Sequence, residues 1–231
     1  MRKFKKRLIV ACRVFEKELT TLLSPVDELL FLEFGYHKRP DLLQKKLQHI
    51  IDSAEGFDVI LLLYGYCGGT LHLKAGNIPV IIPKANDCFD IMLGAEVRMQ
   101  IFSEEPGTYF LSEGWIRQDG TPYEKIKRFR KAAEKRGINL ISEFYNGYKR
   151  LFLVNTGVLS KESRSRVQNS ALRLYWKFEE KRVGIQNIQR LINGEQEEGC
   201  MVLNPCGMSF SLKEYNARDN KTFDQSLQQG S

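Results

Sequence analysis

The sequence lacks any long apolar run. The run that follows the basic N-terminus covers only residues 8–12 before Arg13, which is too short for the hydrophobic region of a secretory signal. The longest other run, residues 59–64, is too short to cross a bilayer. Since no secretory signal or membrane span is predicted, we expect a cytoplasmic protein. Its five cysteines are then expected to be reduced thiols and not a disulfide framework.

Motifs of common cofactor sites are also missing from the sequence. No Gly-x-Gly-x-x-Gly fingerprint follows the first predicted strand, and no Walker loop occurs anywhere. Short Cys-x-x-Cys pairs, which indicate a zinc finger, do not occur either. The sequence therefore does not predict a standard dinucleotide, nucleoside triphosphate or zinc-finger site.

The composition is that of an ordinary globular protein, with 42% hydrophobic and 27% charged residues among 231. A chain of this length buries a sizeable core. We predict a single α/β domain over residues 1–215. Residues 216–231 are polar and lack periodicity, which predicts a disordered tail.

Strand-like and helix-like segments alternate along the chain. The apolar patterns predict strands at 8–12, 29–34, 58–64, 79–82, 108–111, 150–155 and 200–203. They predict helices at 14–23, 40–53, 70–75, 88–99, 123–136 and 163–180. Such alternation is typical of βαβ units, so we expect an α/β, Rossmann-like fold: a mostly parallel sheet with helices on both faces.

Three cysteines stand where a strand-like run gives way to a turn: Cys12, Cys67 and Cys88. Ligands gather beyond the carboxyl ends of the strands of an open α/β sheet, so these thiols are candidates for one site. Three thiolates with a fourth open position suit a reactive zinc ion or an iron–sulfur cluster. The alternative is that all three are small buried apolar residues at strand ends.

Two further side chains are candidates for catalysis at the same edge. His37 follows the second predicted strand, at a position suited to a ligand or a general base, or to a surface histidine. Asp87 precedes the helix predicted at 88–99. Its carboxylate is either a catalytic group or the N-cap of that helix. The other cysteines, Cys200 and Cys206, flank the last strand and are expected to be structural.

A glycine-rich turn offers a second kind of site. Its backbone amides stand at the start of a short predicted helix, where they suit an anionic cofactor. The residues of this predicted binding turn are Gly65, Gly68, Gly69 and Thr70.

The net charge of +7 comes with basic clusters at residues 2–7, 125–131 and 164–173. Such clusters attract nucleic acid or anionic cofactors. Acidic residues interleave with the second and third clusters, which favours solvated helix faces instead. Since no nucleic-acid-binding motif accompanies the charge, we do not expect a nucleic-acid partner, and we expect no membrane partner.

Several motifs resemble those of a bacterial and archaeal family, domain of unknown function 1638. They are Ala11-Cys12, His37-Lys38-Arg39-Pro40, Tyr64-Gly65-Tyr66-Cys67-Gly68, Ile82-Pro83-Lys84-Ala85-Asn86-Asp87-Cys88, Leu93-Gly94, Pro106-Gly107-Thr108-Tyr109-Phe110 and Gly114-Trp115. The resemblance extends to about Gly207 and implies a small α/β protein with a cysteine-lined site, associated with corrinoid-dependent methyl transfer. Asn86 departs from the histidine that the resemblance implies there.

We therefore expect a cytoplasmic metal-binding protein with zinc or an iron–sulfur cluster held by Cys12, Cys67 and Cys88. We favour an enzyme of corrinoid or one-carbon methyl-transfer metabolism, whose partner is a small-molecule substrate or a protein of the corrinoid system. The alternative is a metal-free binding protein for an anionic small molecule or a partner protein.

Overall fold

A computed structural model describes residues 6–23, 27–193 and 198–206. The chain divides into two compact units, and each is described by itself. The first comprises residues 1–12, 21–91 and 186–231, and the second comprises 13–20 and 92–185. The single domain predicted over 1–215 stays a prediction. The predicted tail, 216–231, lies outside the described residues.

The secondary structure alternates as the sequence indicates. The strands are β1 (Arg7–Cys12), β2 (Asp27–Leu32), β3 (Val59–Leu63), β4 (Val80–Pro83), β5 (Thr108–Ser112), β6 (Arg150–Asn155), β7 (Lys177–Arg182) and β8 (Cys200–Leu203). The α-helices are α1 (Glu16–Leu19), α2 (Pro40–Ser53), α3 (Cys88–Leu93), α4 (Ala95–Glu104), α5 (Glu113–Asp119), α6 (Pro122–Glu134), α7 (Leu140–Phe144), α8 (Lys161–Leu174) and α9 (Gln186–Ile192). Short 3-10 helices occur at Arg13–Phe15, Phe34–Lys38, Tyr66–Gly68 and Thr70–His72.

The first unit has a five-stranded sheet in the order β2-β1-β3-β4-β8. The pairs among β2, β1, β3 and β4 are parallel, and β8 runs antiparallel to β4. All five residues of β3 are buried, as a central parallel strand requires. Since β1 lies between β2 and β3, the carboxyl ends of β1 and β3 are adjacent at one edge.

Helix α2 packs on this sheet through one apolar stripe. It begins at Pro40, whose missing N–H costs nothing in the first turn, and Ala54 is extended after its last residue. Its buried residues are Leu43, Leu47, Ile50 and Ile51. Spacings of four, seven and eight residues bring these side chains to one face, against β1, β3 and β4.

The second unit has a three-stranded parallel sheet in the order β5-β6-β7. One face carries a core from β5, β6, α5 and α8: Leu111, Ile116, Leu151, Leu153, Val167 and Ala171. On the opposite side, the Arg98 guanidinium of α4 lies 3.6 Å from the centre of the Phe110 ring. The α/β, Rossmann-like prediction is thus confirmed, because parallel sheets flanked by helices form the described chain.

Buried carboxylates meet at the carboxyl edge of the second sheet. Glu113, only 3% exposed, accepts hydrogen bonds from the Lys17 ammonium at 2.5 Å and from the Ser160 amide at 3.1 Å. These donors hold the Glu113 pKa below its usual range despite burial. Glu18 is fully buried and accepts from the Thr156 hydroxyl at 2.7 Å, and burial raises its pKa. One edge thus holds an ionised carboxylate and a carboxyl whose ionisation is disfavoured.

Several predicted elements differ from the structure. The single helix predicted at 163–180 is wrong: α8 ends at Leu174, and Tyr175 adopts a left-handed φ of 56° before β7 begins. Strand β7 is dominated by charged residues, which hide its alternation. The helix predicted at 88–99 is broken at Gly94, whose φ is 83°. The helix predicted at 14–23 is limited to a 3-10 turn and α1.

No helix in the described part of the chain combines the length and the apolar character that a membrane span requires.

Candidate functional site

The candidate site lies at the carboxyl edge of the first sheet. Cys12 is the last residue of β1 and pairs in register with Leu32 of β2, while the preceding Ala11 pairs with Leu63 of β3. The chain then continues from the end of β3 into Tyr64. Ligand sites of open parallel sheets lie where the order of connected strands reverses, which here is the boundary of β1 and β3. The sequence prediction that Cys12 stands at a strand end is confirmed.

The turn after β3 is fixed to the segment after β4 by direct backbone contact. The Tyr66 amide donates to the Ala85 carbonyl at 2.7 Å, and the Cys67 amide donates to the Asn86 carbonyl at 2.9 Å. An ideal Cβ at Gly65 would lie 2.7 Å from the Ala85 oxygen, so only glycine permits this approach. The contact holds Cys67 close to the start of α3.

The glycine-rich turn uses its amides internally. Besides the two amides bonded to the segment after β4, the Gly68 amide donates to the Gly65 carbonyl at 3.0 Å, and the Gly69 amide donates to Tyr66 at 2.9 Å. The buried Thr70 hydroxyl donates to the Gly65 carbonyl at 3.2 Å. An anion at this turn would compete with these bonds. The binding role predicted for Gly65, Gly68, Gly69 and Thr70 stays a prediction.

Two of the three thiols share an electrostatic environment with a buried phenol. Burial raises the pKa of Tyr64, and a charge on Cys12 or Cys67 raises it further. Although Cys67 is an exposed residue, neighbouring atoms desolvate its thiol; this desolvation, then Asp87 and Cys12, raise its pKa to about 11. At neutral pH the Cys67 thiol is therefore protonated and a weak nucleophile.

The segment after β4 is ordered by two carboxylates. Asp87 accepts hydrogen bonds from the amides of Phe89 at 2.8 Å and Asp90 at 3.1 Å, which is the N-cap role that the sequence predicts. Its predicted catalytic role stays a prediction. Asp90 is buried and accepts from both the amide nitrogen and the side-chain nitrogen of Asn86, at 2.8 and 2.7 Å. The two carboxylates fix the backbone on both sides of half-buried Cys88.

Asp90 is a site residue that the sequence analysis missed. It stands within a predicted helix, and a carboxylate three residues after another looks like an ordinary solvated helix position. Only its bonds to Asn86 show that it orders the turn. The signal available in the sequence was the pair of carboxylates around Cys88 at the first turn of a helix.

The three thiols do not form a metal site as they stand. Within residues 6–23, 27–193 and 198–206, no three histidine, cysteine, aspartate or glutamate side chains are grouped so that they could hold a metal ion. Metal binding by Cys12, Cys67 and Cys88 therefore stays a prediction.

His37 lies in the 3-10 helix that follows β2. It is exposed, and its ring stacks on that of Phe34, with centroids 5.6 Å apart and an angle of 23° between the planes. Stacking orients the imidazole but leaves it open to solvent. Its role as ligand or general base stays a prediction.

The remaining cysteines differ from each other in exposure. Cys200 begins β8 and pairs with Pro83, so it stands at the same edge of the sheet as the carboxyl end of β4. It is buried, and burial raises its pKa to about 11 although Lys84 opposes the shift. Cys206 is exposed in a turn after β8.

Comparison with protein families gives one match. The profile of a family described as "Protein of unknown function (DUF1638)" matches residues 31–192. The chain belongs to this family. The match includes Cys67, Cys88 and the segment between them, whereas Cys12 and Cys200 fall outside the matched residues. No curated protein and no solved structure gives a significant match.

Proposed function

We propose that the chain is a metal-binding protein whose soft ligands are Cys12, Cys67 and Cys88. The observation that supports the proposal is the position of Cys12 at the end of β1, beside the end of β3, whose following turn contains Cys67. Cys88 begins the helix whose N-cap, Asp87, also acts on Cys67. Binding of a metal therefore requires the three sulfurs to come closer together than they are in the described structure.

The raised pKa of Cys67 explains what a metal would contribute. A thiolate in this crevice without a counter-charge is unfavourable because of desolvation and the carboxylate of Asp87. A bound Zn²⁺ ion or iron–sulfur cluster supplies positive charge, and thiols that coordinate a metal are deprotonated outright. Metal uptake would therefore release protons. Three thiolates leave one position for a substrate or water.

The chemistry of Tyr64 fits the same proposal. Its phenol is buried and stays protonated, so its hydroxyl is a hydrogen-bond donor beside the sulfurs. Donation to a thiolate lowers the charge density on sulfur and orients it. An enzyme of methyl-transfer or one-carbon metabolism, inside the cytoplasm, remains the context that we propose for such a site.

The hydrogen bonds of the glycine-rich turn at residues 65–70 argue against the alternative, an anion-binding protein. Four of its amides already donate to carbonyl groups, and the Thr70 hydroxyl does so too. An anionic ligand would have to replace these bonds or find other donors. The hydrogen bonds within this turn therefore disfavour an anion site there.

Elemental analysis after anaerobic purification tests the proposal. We expect near-stoichiometric zinc, or iron with sulfide, in the wild type and its loss in Cys12→Ser, Cys67→Ser and Cys88→Ser. The exposed Cys206 provides the matched control, so Cys206→Ser should retain the metal. Wild-type protein that takes up no metal even after reconstitution, or the three variants retaining it, would contradict the proposal.

A further inference from the structure

The second unit has an uncovered apolar surface beside its most basic helix. Four large apolar side chains of α6, α7 and their connection are exposed: Phe129 by 53%, Ile138 by 39%, Ile141 by 48% and Phe144 by 65%. We name these four residues the α6–α7 patch. Clustered exposed apolar side chains with a polar rim are typical of interaction sites, whereas single ones need no explanation.

The patch borders a concave groove between the two helices. The groove has a volume of about 260 Å³, and its apolar lining includes Ala133, Ile138 and Ile141. Helix α7 is held in place by Asn139, whose side chain accepts hydrogen bonds from the first amides of the helix. The groove is thus open to solvent, apolar inside and built on capped helices.

The rim of the groove is strongly basic. Residues 127–144 contain six lysines and arginines but only Glu134 and Glu143 as acids. Glu134 is 3.6 Å from Arg130, which lines the groove with it. Lys127, Arg128 and Lys131 of α6, and Lys135 directly after it, are exposed, and none forms an ion pair with an acidic side chain among the described residues. A partner that binds this surface can therefore make apolar contacts and also pair with its unmatched positive charges.

We propose that the α6–α7 patch docks an acidic amphipathic helix of a partner protein. Such a helix inserts its apolar side chains into the groove and sets its carboxylates against the basic rim, as in other helix-in-groove interfaces. This proposal is independent of the metal site in the first unit.

Other occupants fit the surface less well. A second copy of this chain would bring the same six cations against each other. A lipid bilayer requires a projecting apolar face, and a groove that also contains Glu134 presents a recess. Nucleic acid would use the cations but not the aliphatic Ile138 and Ile141.

Fluorescence anisotropy with a designed peptide tests this proposal. The probe is a labelled peptide of about 18 residues, with leucine at helical i, i+3, i+4 and i+7 spacing and glutamate elsewhere. A peptide of the same composition in scrambled order is the control. We expect the full chain to bind the amphipathic peptide about 10-fold more tightly than the scrambled one. Equal affinities would overturn the proposal, since charge alone would then explain the binding.

Variants of exposed residues locate the binding. Ile141→Glu and Lys131→Glu should each weaken binding about 10-fold, because one removes an apolar contact and the other a rim charge. Met99→Glu, at an exposed apolar position of α4, should leave it unchanged. Binding that survives both patch variants would overturn the assignment. So would stronger binding to vesicles of anionic phospholipid, or self-association of the chain through the patch.

Discussion

The carboxyl edges of the two parallel sheets hold opposite chemistries. At the edge of the second sheet, the carboxylate of Glu113 has Lys17, Ser160 and the start of α8 as partners within the fold. At the edge of the first sheet, burial raises the pKa values of Tyr64 and Cys67; Cys12 raises both further, and Cys67 also raises that of Tyr64. The second edge supplies a counter-charge for Glu113 but disfavours ionisation of Glu18, and the first edge disfavours ionisation of Cys67 and Tyr64.

From this difference we propose that the edge of the first sheet, rather than that of the second, binds a ligand. An internally neutralised carboxylate stabilises the fold and gains little from a bound cation. Neutral thiols lose their protons when a soft metal binds, and each resulting thiolate is then stabilised by the positive charge of the metal. This contrast is why we propose the functional site in the first unit and assign Glu113 of the second unit to stability.

The largest expected effect concerns the glycines that bring backbone segments together at the two edges. A Cβ at Gly114 would lie 1.9 Å from the Val14 carbonyl oxygen, whereas one at Gly65 would lie 2.7 Å from that of Ala85. We expect Gly114→Ala to lower the free energy of unfolding by about 3 kcal/mol or more, and Gly65→Ala by less. Urea denaturation measures both.

Gly35→Ala is the control for these two variants, because a Cβ at Gly35 would have no neighbouring atom within 4 Å and the φ of this residue is not left-handed. If Gly35→Ala lowered the free energy of unfolding as much as Gly114→Ala, the close approach of the backbone segments would not be the cause.

The next largest effect is the pH dependence of the stability that Glu113 contributes. Its folded-state pKa is lowered, so its stabilising contribution is present above the ordinary glutamate pKa and is lost as the pH falls through the folded-state value. Glu113→Gln should lower the free energy of unfolding at pH 7 by about 2 kcal/mol, since it removes the partly buried ion pair with Lys17 and replaces one hydrogen-bond-accepting oxygen by a nitrogen that cannot accept. The loss should shrink toward pH 3. A pH series of urea denaturation curves measures it, and a loss that is constant with pH would contradict the assignment.

A smaller effect of opposite sign is expected at Glu18. Its folded-state pKa is raised, so its contribution is present below the ordinary glutamate pKa and is lost as the pH rises through the folded-state value. Glu18→Gln should therefore stabilise the protein at pH 7 and change little at pH 4. The amide oxygen still accepts from Thr156. Thermal unfolding at the two pH values measures the difference, and destabilisation at pH 7 would refute it.

The smallest effect on stability is expected at Asp87. Asparagine also accepts the N-cap hydrogen bonds of α3, so Asp87→Asn should change the free energy of unfolding by only about 0.5 kcal/mol. The variant removes the carboxylate that helps to raise the pKa of Cys67, which should fall below about 11. Alkylation rates of the Cys67 thiol against pH measure the shift. An unchanged Cys67 pKa would show that the Asp87 carboxylate does not act on the Cys67 thiol, and would contradict its assignment to the site.

Much of the fold was predictable because its elements have local signatures. Helix α2 has proline at its start and a regular apolar stripe, and its bounds were predicted as observed. Strand β3 is an uninterrupted apolar run between polar turns. Strand β7 was missed because its last four residues are all charged, which leaves no apolar alternation. Its pairing with β6 depends on tertiary contacts such as Arg150 with Glu179, which no local pattern reveals.

The site was predictable only in part, for a related reason. The position of Cys12 and Cys67 after strands follows from the alternation of strands and helices, whereas the adjacency of β1 and β3 depends on the order of strands in the sheet, which alternation does not determine. The bonds of Asp90 to Asn86, and those of Glu113 to Lys17, join atoms whose proximity depends on the folded backbone. Sequence patterns indicate where strands end, whereas side-chain partners at those ends depend on three-dimensional packing.

Titration of the anaerobic, metal-free protein with Co²⁺ tests the central claim most directly, because thiolate-to-cobalt absorption reports on the ligands themselves. We predict saturation at one equivalent, release of protons, and a loss of about a third of the thiolate absorption in each of Cys12→Ser, Cys67→Ser and Cys88→Ser if the ion still binds. A wild-type titration with no thiolate absorption, or absorption that is unchanged in all three variants, would contradict the account.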